Sequence, residues 1–249
     1  MSTSFDDTAP GPPRGAGPAG QDGAAPRDGR VARRRAALFD MDRTLLRKET
    51  ASLYVKYQRQ IGEATARDLL RTLYWVGQYT LGVLDAEKVA ERALLALRGV
   101  PETVLAARCD DWFRLHVEPH IADAGREAVQ RHKAAGDLCA IVTGAWPYTS
   151  RPLARRLGIE HLVASELEID ERGRFTGRAA PPLCLGEGKV ARARALAEAQ
   201  GFRLEDATFY TDSVSDLPLL ELVAEPVAVN PDPRLRRVAE RRGYRIERW

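Results

Sequence analysis

The stretch ALFDMDRTLL, residues 37–46, places Asp40 and Asp42 directly after an apolar run, Ala36 to Phe39. Two carboxylates about 4 Å apart repel by about 4 kcal/mol at an effective dielectric near 20. A shared proton, a basic neighbour or a metal ion must offset that repulsion. Three further stretches carry polar groups of matching chemistry. IVTG ends in Thr143 and Gly144, Lys189 follows the glycine-containing CLGEG, and TDSVSDLPLL carries Asp212 and Asp216. Brought together, these make four carboxylates, one lysine and one hydroxyl. So many acids call for a hard divalent cation, and Mg²⁺ takes oxygen ligands with water and substrate phosphate. The lysine and the threonine can hold phosphate oxygens. The set suits phosphoryl transfer, in which positioning and charge neutralisation do most of the catalysis.

Such a set assembles only if each residue ends a strand or opens a helix of one sheet. Apolar runs and helical patterns alternate along most of the chain. RAALFD, DLCAIVTG, HLVASE, ATFYTD and EPVAVN read as strands. ADAGREAVQRHKAAG, YTSRPLARRLG (despite Pro152), EGKVARARALAEAQG, SDLPLLELV and DPRLRRVAERRG read as helices. Alternation of this kind predicts βαβ units and a parallel, Rossmann-like sheet of the α/β class, covered on both faces. LEIDERGRFTG predicts a small β excursion. Every chemical residue named above then falls at a strand's carboxyl end or a helix start, where open parallel sheets bind ligands.

One region breaks the rhythm. From Glu49 to Glu118 the apolar residues recur at helical spacing, in ETASLYVKYQRQIG, ATARDLLRTLYWVGQYTLG, DAEKVAERALLALRG and PETVLAARCDDWFRLHV. The expected organisation is a core of residues 35–48 and 119–249 with a helical cap, 49–118, inserted after the first strand. Residues 1–34, rich in Pro, Gly and Ala and without hydrophobic period, are expected to be a disordered tail.

Of the chain's 249 residues 44% are hydrophobic, enough for a substantial core, and the net charge of +3 gives no reason to expect a nucleic-acid partner. Three scattered cysteines, Cys109, Cys139 and Cys184, fit a reducing cytoplasm rather than a disulfide framework. Residues 1–35 lack the apolar stretch of a secretory signal. The most apolar segment, LLRTLYWVGQYTLGVL, is too short and too polar to span a bilayer. Nothing in the sequence indicates an oligomeric state. The four histidines show no metal-ligand spacing. Before Lys189, Leu183 stands where a nucleotide-binding P-loop would have its first glycine, and no Ser or Thr follows the lysine.

Taken in order, FDMDRTLL, IVTG, Lys189 and TDSVSDLPLL resemble the four motifs of the haloacid dehalogenase superfamily. The helical insert between the first two resembles its phosphoserine-phosphatase-like branch. The resemblance covers about residues 35–249. It implies that Asp40 is a nucleophile that becomes an aspartyl-phosphate, and that Asp42 is the general acid and base. It implies Mg²⁺ held by Asp40, the backbone carbonyl of Asp42, and Asp212, with Asp216 behind them. It also implies phosphate held by Thr143, the Gly144 N–H and Lys189. Arg43 departs from the branch, which usually has Gly or Ser there; it is expected to contact substrate or narrow the pocket. Ser215 stands where Asn is common. Glu49, nine residues after Asp40, is at the offset where the branch meets a substrate amine.

The expected activity is therefore a Mg²⁺-dependent phosphomonoesterase for a small phosphorylated metabolite, with phosphoserine as first candidate. Histidinol phosphate and a lysophospholipid phosphate are the alternatives, the last suggested by the apolar LYWVGQYTLGVL. Each residue alone also has a plain reading: Asp40 and Asp42 as a turn, Thr143 as a helix cap, Lys189 as a surface lysine, Asp212 and Asp216 as capping acids. A non-catalytic regulatory module on the same fold is the competing class.

Overall fold

The residues Ala36 to Phe39 are buried from both sides, which is why they form a continuous apolar run instead of an alternating one. The computed structural model describes residues 34–65 and 94–249, together with 67, 70 and 74. The expected tail lies outside these residues except for Arg34. So do most of the second and third helical segments expected in the insert.

The first strand, β1 (Arg34–Phe39), lies at the middle of a six-stranded sheet. It pairs in parallel with β2 (Leu138–Val142) on one side, and β2 pairs with β3 (His161–Val163). A separate antiparallel hairpin follows, β4 (Glu166–Ile169) and β5 (Phe175–Ala180). The chain then crosses to the other side of β1, where β6 (Phe202–Thr211), β7 (Glu225–Val229) and β8 (Arg245–Glu247) complete the parallel order β3-β2-β1-β6-β7-β8. The reversal of direction at β1 opens a crevice at the carboxyl end of that strand.

Described helices cover both faces. Ala37 and Phe39 of β1, with Cys139, Ile141 and Tyr210, pack against α3 (Asp123–Ala134) and α4 (Pro147–Leu157). Ala36 and Leu38 point the other way, onto Val190, Ala193 and Ala197 of α5 (Glu187–Gln200) and Leu235 and Ala239 of α7 (Pro233–Arg242). A short helix, α6 (Leu217–Leu220), follows β6. All three cysteines are free and buried, and Cys139 sits in β2 as expected. Pro152 lies inside α4, buried, without ending it.

The structure corrects several boundaries. The strand expected at residues 207–212 begins five residues earlier, at Phe202, whose partner in the sheet is Arg34. HLVASE divides between β3 and β4. The edge strand β8 was not expected, because three residues are too few to show a period.

Of the insert, α1 (Thr50–Gln60) and α2 (Glu102–Trp112) are described, the latter continuing through a wider π turn (Phe113–Val117) and a tighter 3-10 turn (Glu118–His120). The β4–β5 hairpin braces this region. Phe175 N donates to Val100 O at 3.0 Å and Gly99 N to Phe175 O at 2.8 Å. Leu105 and Cys109 of α2 share a buried cluster with Tyr148, Leu167 and Phe175. Arg156 bonds Glu118 at 2.5 Å, and Arg155 pairs with Asp110. Hairpin and insert are thus fastened to each other and to α4.

Candidate active site

The pairing register aligns the sequence-predicted residues. Phe39 faces Ile141 on one side and Tyr210 on the other, so the residues after these three strands emerge side by side. They are Asp40, then Thr143 and Gly144, then Asp212. Asp40 N donates to Tyr210 O at 2.8 Å, which holds the start of the loop in line with the sheet. Thr143 N donates to Val163 O at 2.9 Å, and its hydroxyl oxygen accepts from Ala145 N at 3.1 Å. Accepting that bond leaves the hydroxyl proton to be donated elsewhere. Gly144 passes so close to the loop before α5 that a Cβ there would come within 2.5 Å of Leu185 Cδ2.

Lys189 is drawn from the first turn of α5 into this cluster. The turn before it is tight: a Cβ on Gly188 would meet Leu183 O at 2.0 Å, so glycine is required. The lysine side chain is buried and bridges two carboxylates, donating to Asp40 Oδ1 at 2.9 Å and to Asp216 Oδ2 at 2.7 Å. Burial alone would favour the neutral amine, but Asp216 and Asp40 hold its pKa well above the ordinary lysine value. Thr211 Oγ1 also donates to Asp216 Oδ2, at 2.6 Å, and fixes that carboxylate.

Asp40 is 8% exposed, and burial raises its pKa to about 6 against the opposing pull of Lys189. Asp212 is pushed well above the ordinary carboxylate range by burial and by the charge of Asp40. Its backbone oxygen accepts from Asp232 N at 2.8 Å, and Asp232 Oδ2 accepts from Val214 N at 2.7 Å. Asp232 Oδ1 caps α7 by accepting from Arg234 N and Leu235 N. One buried aspartate therefore secures both the Asp212 loop and the next helix.

The side of the site facing the insert is built differently. Asp42 points at the start of α1, where its Oδ1 accepts from Thr50 N at 2.9 Å and its Oδ2 from Thr50 Oγ1 at 3.0 Å. Burial raises the Asp42 pKa to about 7 although the Thr50 bonds favour the anion. Glu49 precedes α1, part-buried, and burial raises its pKa too. Arg43 occupies a left-handed backbone position, φ 57°, which costs a non-glycine residue about 1–2 kcal/mol. Its carbonyl oxygen accepts from Asn230 Nδ2 at 3.4 Å. Its guanidinium lies 3.1 Å from Asp212 Oδ2 and 3.8 Å from Glu49 Oε1.

All nine residues singled out in the sequence thus fall at one end of the sheet. Direct contacts join Asp40, Lys189 and Asp216 in one group and Arg43, Asp212 and Glu49 in another. Thr50, Thr211, Asp232 and Asn230 were missed. Of these only Asp232 carried a local signal, as an acid before Pro233 at a helix start. Ser215, which stands where Asn is common, bonds the Ser213 hydroxyl at 2.9 Å.

Among the described residues, no three His, Cys, Asp or Glu side chains gather into a metal centre by themselves. Mg²⁺ does not need three, since it is held through one or two carboxylates with waters and substrate phosphate. Asp40 and Asp212, the charge of the first raising the pKa of the second, fit that requirement.

The profile of the haloacid dehalogenase-like hydrolase family matches residues 37–221, a span that includes every one of these groups except Asn230 and Asp232. The chain belongs to the haloacid dehalogenase-like hydrolases. Among curated proteins, this hydrolase is 30% identical to the histidinol-phosphatase of Neisseria meningitidis serogroup C (strain 8013), over 84% of this chain and 96% of that one. It is 35% identical to phosphoserine phosphatase SerB1 of Mycobacterium tuberculosis (strain ATCC 25618 / H37Rv), over 85% of this chain and 70% of that one. Among solved structures it resembles a protein of unknown function from Bordetella pertussis Tohama I, with TM-score 0.78 and 37% identity, covering 86% of this chain and 98% of that one. Family and relatives together make the chain a phosphoric monoester hydrolase. Among the described residues no helix is long and apolar enough to cross a membrane.

Proposed function

We propose that this hydrolase is a Mg²⁺-dependent phosphatase of small, amine-bearing phosphate monoesters and works through an aspartyl-phosphate at Asp40. The observation that carries the reading is the buried Asp40–Lys189–Asp216 network. A lysine kept charged at the foot of a carboxylate suits a group that must receive a phosphoryl dianion. The intact network also argues against a non-catalytic module.

Phosphate would sit against the Thr143 hydroxyl, the Gly144 N–H and Lys189. An Asp40 carboxylate oxygen attacks phosphorus as the ester P–O bond breaks, and Asp42 gives its proton to the leaving alkoxide. Asp42 then takes a proton from water, whose oxygen attacks phosphorus and frees Asp40. Both steps need Asp42 to change protonation state, and a pKa near 7 suits that alternation. Asp40, the Asp42 carbonyl and Asp212 would hold Mg²⁺, with Asp216 acting on them through Lys189. The ion would neutralise charge on the phosphoryl oxygens.

Residues 49–118 would act as a cap over this end of the sheet, on the core of residues 35–48 and 119–249. Glu49, at the start of that cap, is the proposed amine partner. Relatives named for phosphoserine and for histidinol phosphate, two amine-bearing esters, support that substrate class. The apolar stretch behind the lipid alternative lies outside the described residues except for Tyr74, which is exposed. Three free, buried thiols are in keeping with a cytoplasmic enzyme.

The test is phosphate release across a panel holding phosphoserine, histidinol phosphate, a neutral alkyl phosphate and an aryl phosphate, with Mg²⁺ and with chelator. Amine-bearing esters should lead and chelation should abolish release. Asp40→Asn should lower turnover by about 10³-fold or more while leaving the fold intact. Residual activity within tenfold of wild type would reject Asp40 as nucleophile.

A further inference from the structure

Arg43 sits where three separate requirements conflict. Its backbone is left-handed at φ 57°, a conformation glycine adopts without strain. Its guanidinium, always charged, reaches a carboxylate that the proposed chemistry needs for a cation: Arg43 Nε lies 3.1 Å from Asp212 Oδ2. Asp212 is 8% exposed and already crowded by the charges of Asp40, Asp216 and Asp42. The guanidinium is the cation this structure supplies to that oxygen, whereas Lys189 serves Asp40 and Asp216.

We propose that Arg43 is an internal competitor for the divalent cation at Asp212, so that this chain binds Mg²⁺ more weakly than the same site without the arginine charge. The inference rests on the proposed metal-dependent reading of the site. An ion arriving at Asp212 meets a carboxylate already paired and a fixed positive charge beside it. It must displace the guanidinium or share the carboxylate with it. Binding is reciprocal: whatever factor Arg43 subtracts from ion affinity, the ion subtracts from the Arg43–Asp212 pair. Glu49 Oε1, 3.8 Å from Arg43 Nη1, offers the displaced guanidinium a second anion on the insert side. Ion occupancy at Asp212 and the charge presented by Glu49 are therefore linked through one side chain.

The experiment is equilibrium Mg²⁺ binding by titration calorimetry at constant ionic strength, on the full chain without substrate. Wild type is compared with Arg43→Gly and Arg43→Gln. Glycine removes both charge and backbone strain; glutamine removes the charge and keeps a side chain at the left-handed position. Melting in chelator confirms that each variant is folded. Both variants should bind Mg²⁺ about tenfold more tightly, within the usual 5–150-fold range of coupled sites. Tightening in glycine alone would assign the effect to backbone relief and overturn the competition. Equal or weaker binding in both would overturn it while leaving metal dependence intact. No binding by any of the three proteins would overturn the metal-dependent reading as well.

Discussion

The two carboxylates of the first motif, two residues apart, live in different surroundings. Asp40 belongs to the sheet side: its main chain continues a central strand, and its side chain is bonded to a buried lysine that is in turn bonded to Asp216. Asp42 belongs to the insert side: both its oxygens accept from Thr50, the first residue of α1, and the side chain of its neighbour Arg43 is 39% exposed. Groups on the sheet side are fixed by strands and helices that cannot shift without disturbing the core. Groups on the insert side are fixed to a segment whose described residues reach the core through Leu53, Trp112, Phe113 and Val117, through the hairpin cluster and through ion pairs to α4. On the proposed mechanism, the constant part of the reaction, holding phosphate, falls to the first set. Proton transfer and substrate reading, which vary during or between reactions, fall to the second.

Breaking the sheet-side network should have the largest effect. Lys189→Ala leaves Asp40 and Asp216 buried without their cation, a loss that costs about 3–5 kcal/mol in such pairs. Melting temperature should fall by roughly 10 °C or more at neutral pH, and turnover should be lost with it. A fall of only a degree or two would mean that water or another cation reaches these acids freely, and the contrast between the two sides would lapse.

On the insert side, Asp42→Asn should slow alkyl phosphates by about 10²–10⁴-fold, the usual worth of a general acid or base. Melting should change far less than in the lysine variant. With an aryl phosphate, whose leaving group needs little protonation, phosphoryl-enzyme should accumulate because water then lacks its base. Rapid-quench trapping that finds no intermediate alongside normal turnover would remove Asp42 from the proton transfers.

Much of the sheet side was legible in the sequence. Apolar runs ending in Asp40, Thr143 and Asp212 mark parallel strands, and ligand sites of such sheets lie at those ends. The insert side was less so. The bonds of Thr50 to Asp42 and of Arg43 to Asp212 join residues whose approach depends on one left-handed turn at Arg43, and no periodicity encodes that turn. The bracing of the insert by the β4–β5 hairpin was equally hidden. A short β excursion announces itself, but not the surface it packs on.

A pH experiment compares the two sides through stability. Asp40 and Asp42 have folded pKa values of about 6 and about 7, above their ordinary value of 3.8. An acid whose pKa is raised by folding stabilises the fold fully below its unfolded pKa and ceases to do so as pH rises through the folded value. In chelator, the protein should therefore lose stability as pH rises from about 4 to about 7. Mg²⁺, which on the proposed reading binds the Asp40 anion, should restore it. At 100 times its dissociation constant a ligand adds about 2.7 kcal/mol, so melting should rise by roughly 5–10 °C at pH 8 and by much less at pH 5, where protons compete. A Mg²⁺ effect that is equal at both pH values would show that the ion does not bind the Asp40 carboxylate.

The smallest expected effect is also the most local. Thr50→Val removes the hydroxyl that donates to Asp42 Oδ2 and keeps the backbone N–H that donates to Oδ1. The two side chains have nearly the same shape, and Thr50 is buried, so packing should survive. One hydrogen bond to a charged group is worth about 1.5–3 kcal/mol, and the surviving N–H bond holds Asp42 in place, so turnover should fall by only a few-fold. The sharper readout is the pH profile. Thr50 stabilises the Asp42 anion, and losing its hydroxyl should move the Asp42 limb of the profile to higher pH. A residue that served only to pack α1 would lower the rate at every pH and leave the limb where it was. Thr50→Ser restores the donor without the methyl group and should return the limb to its wild-type position even if melting stays lower. A limb unmoved in the valine variant would mean that Asp42 leaves Thr50 before the proton is transferred, and the start of the insert would then position the acid only at rest.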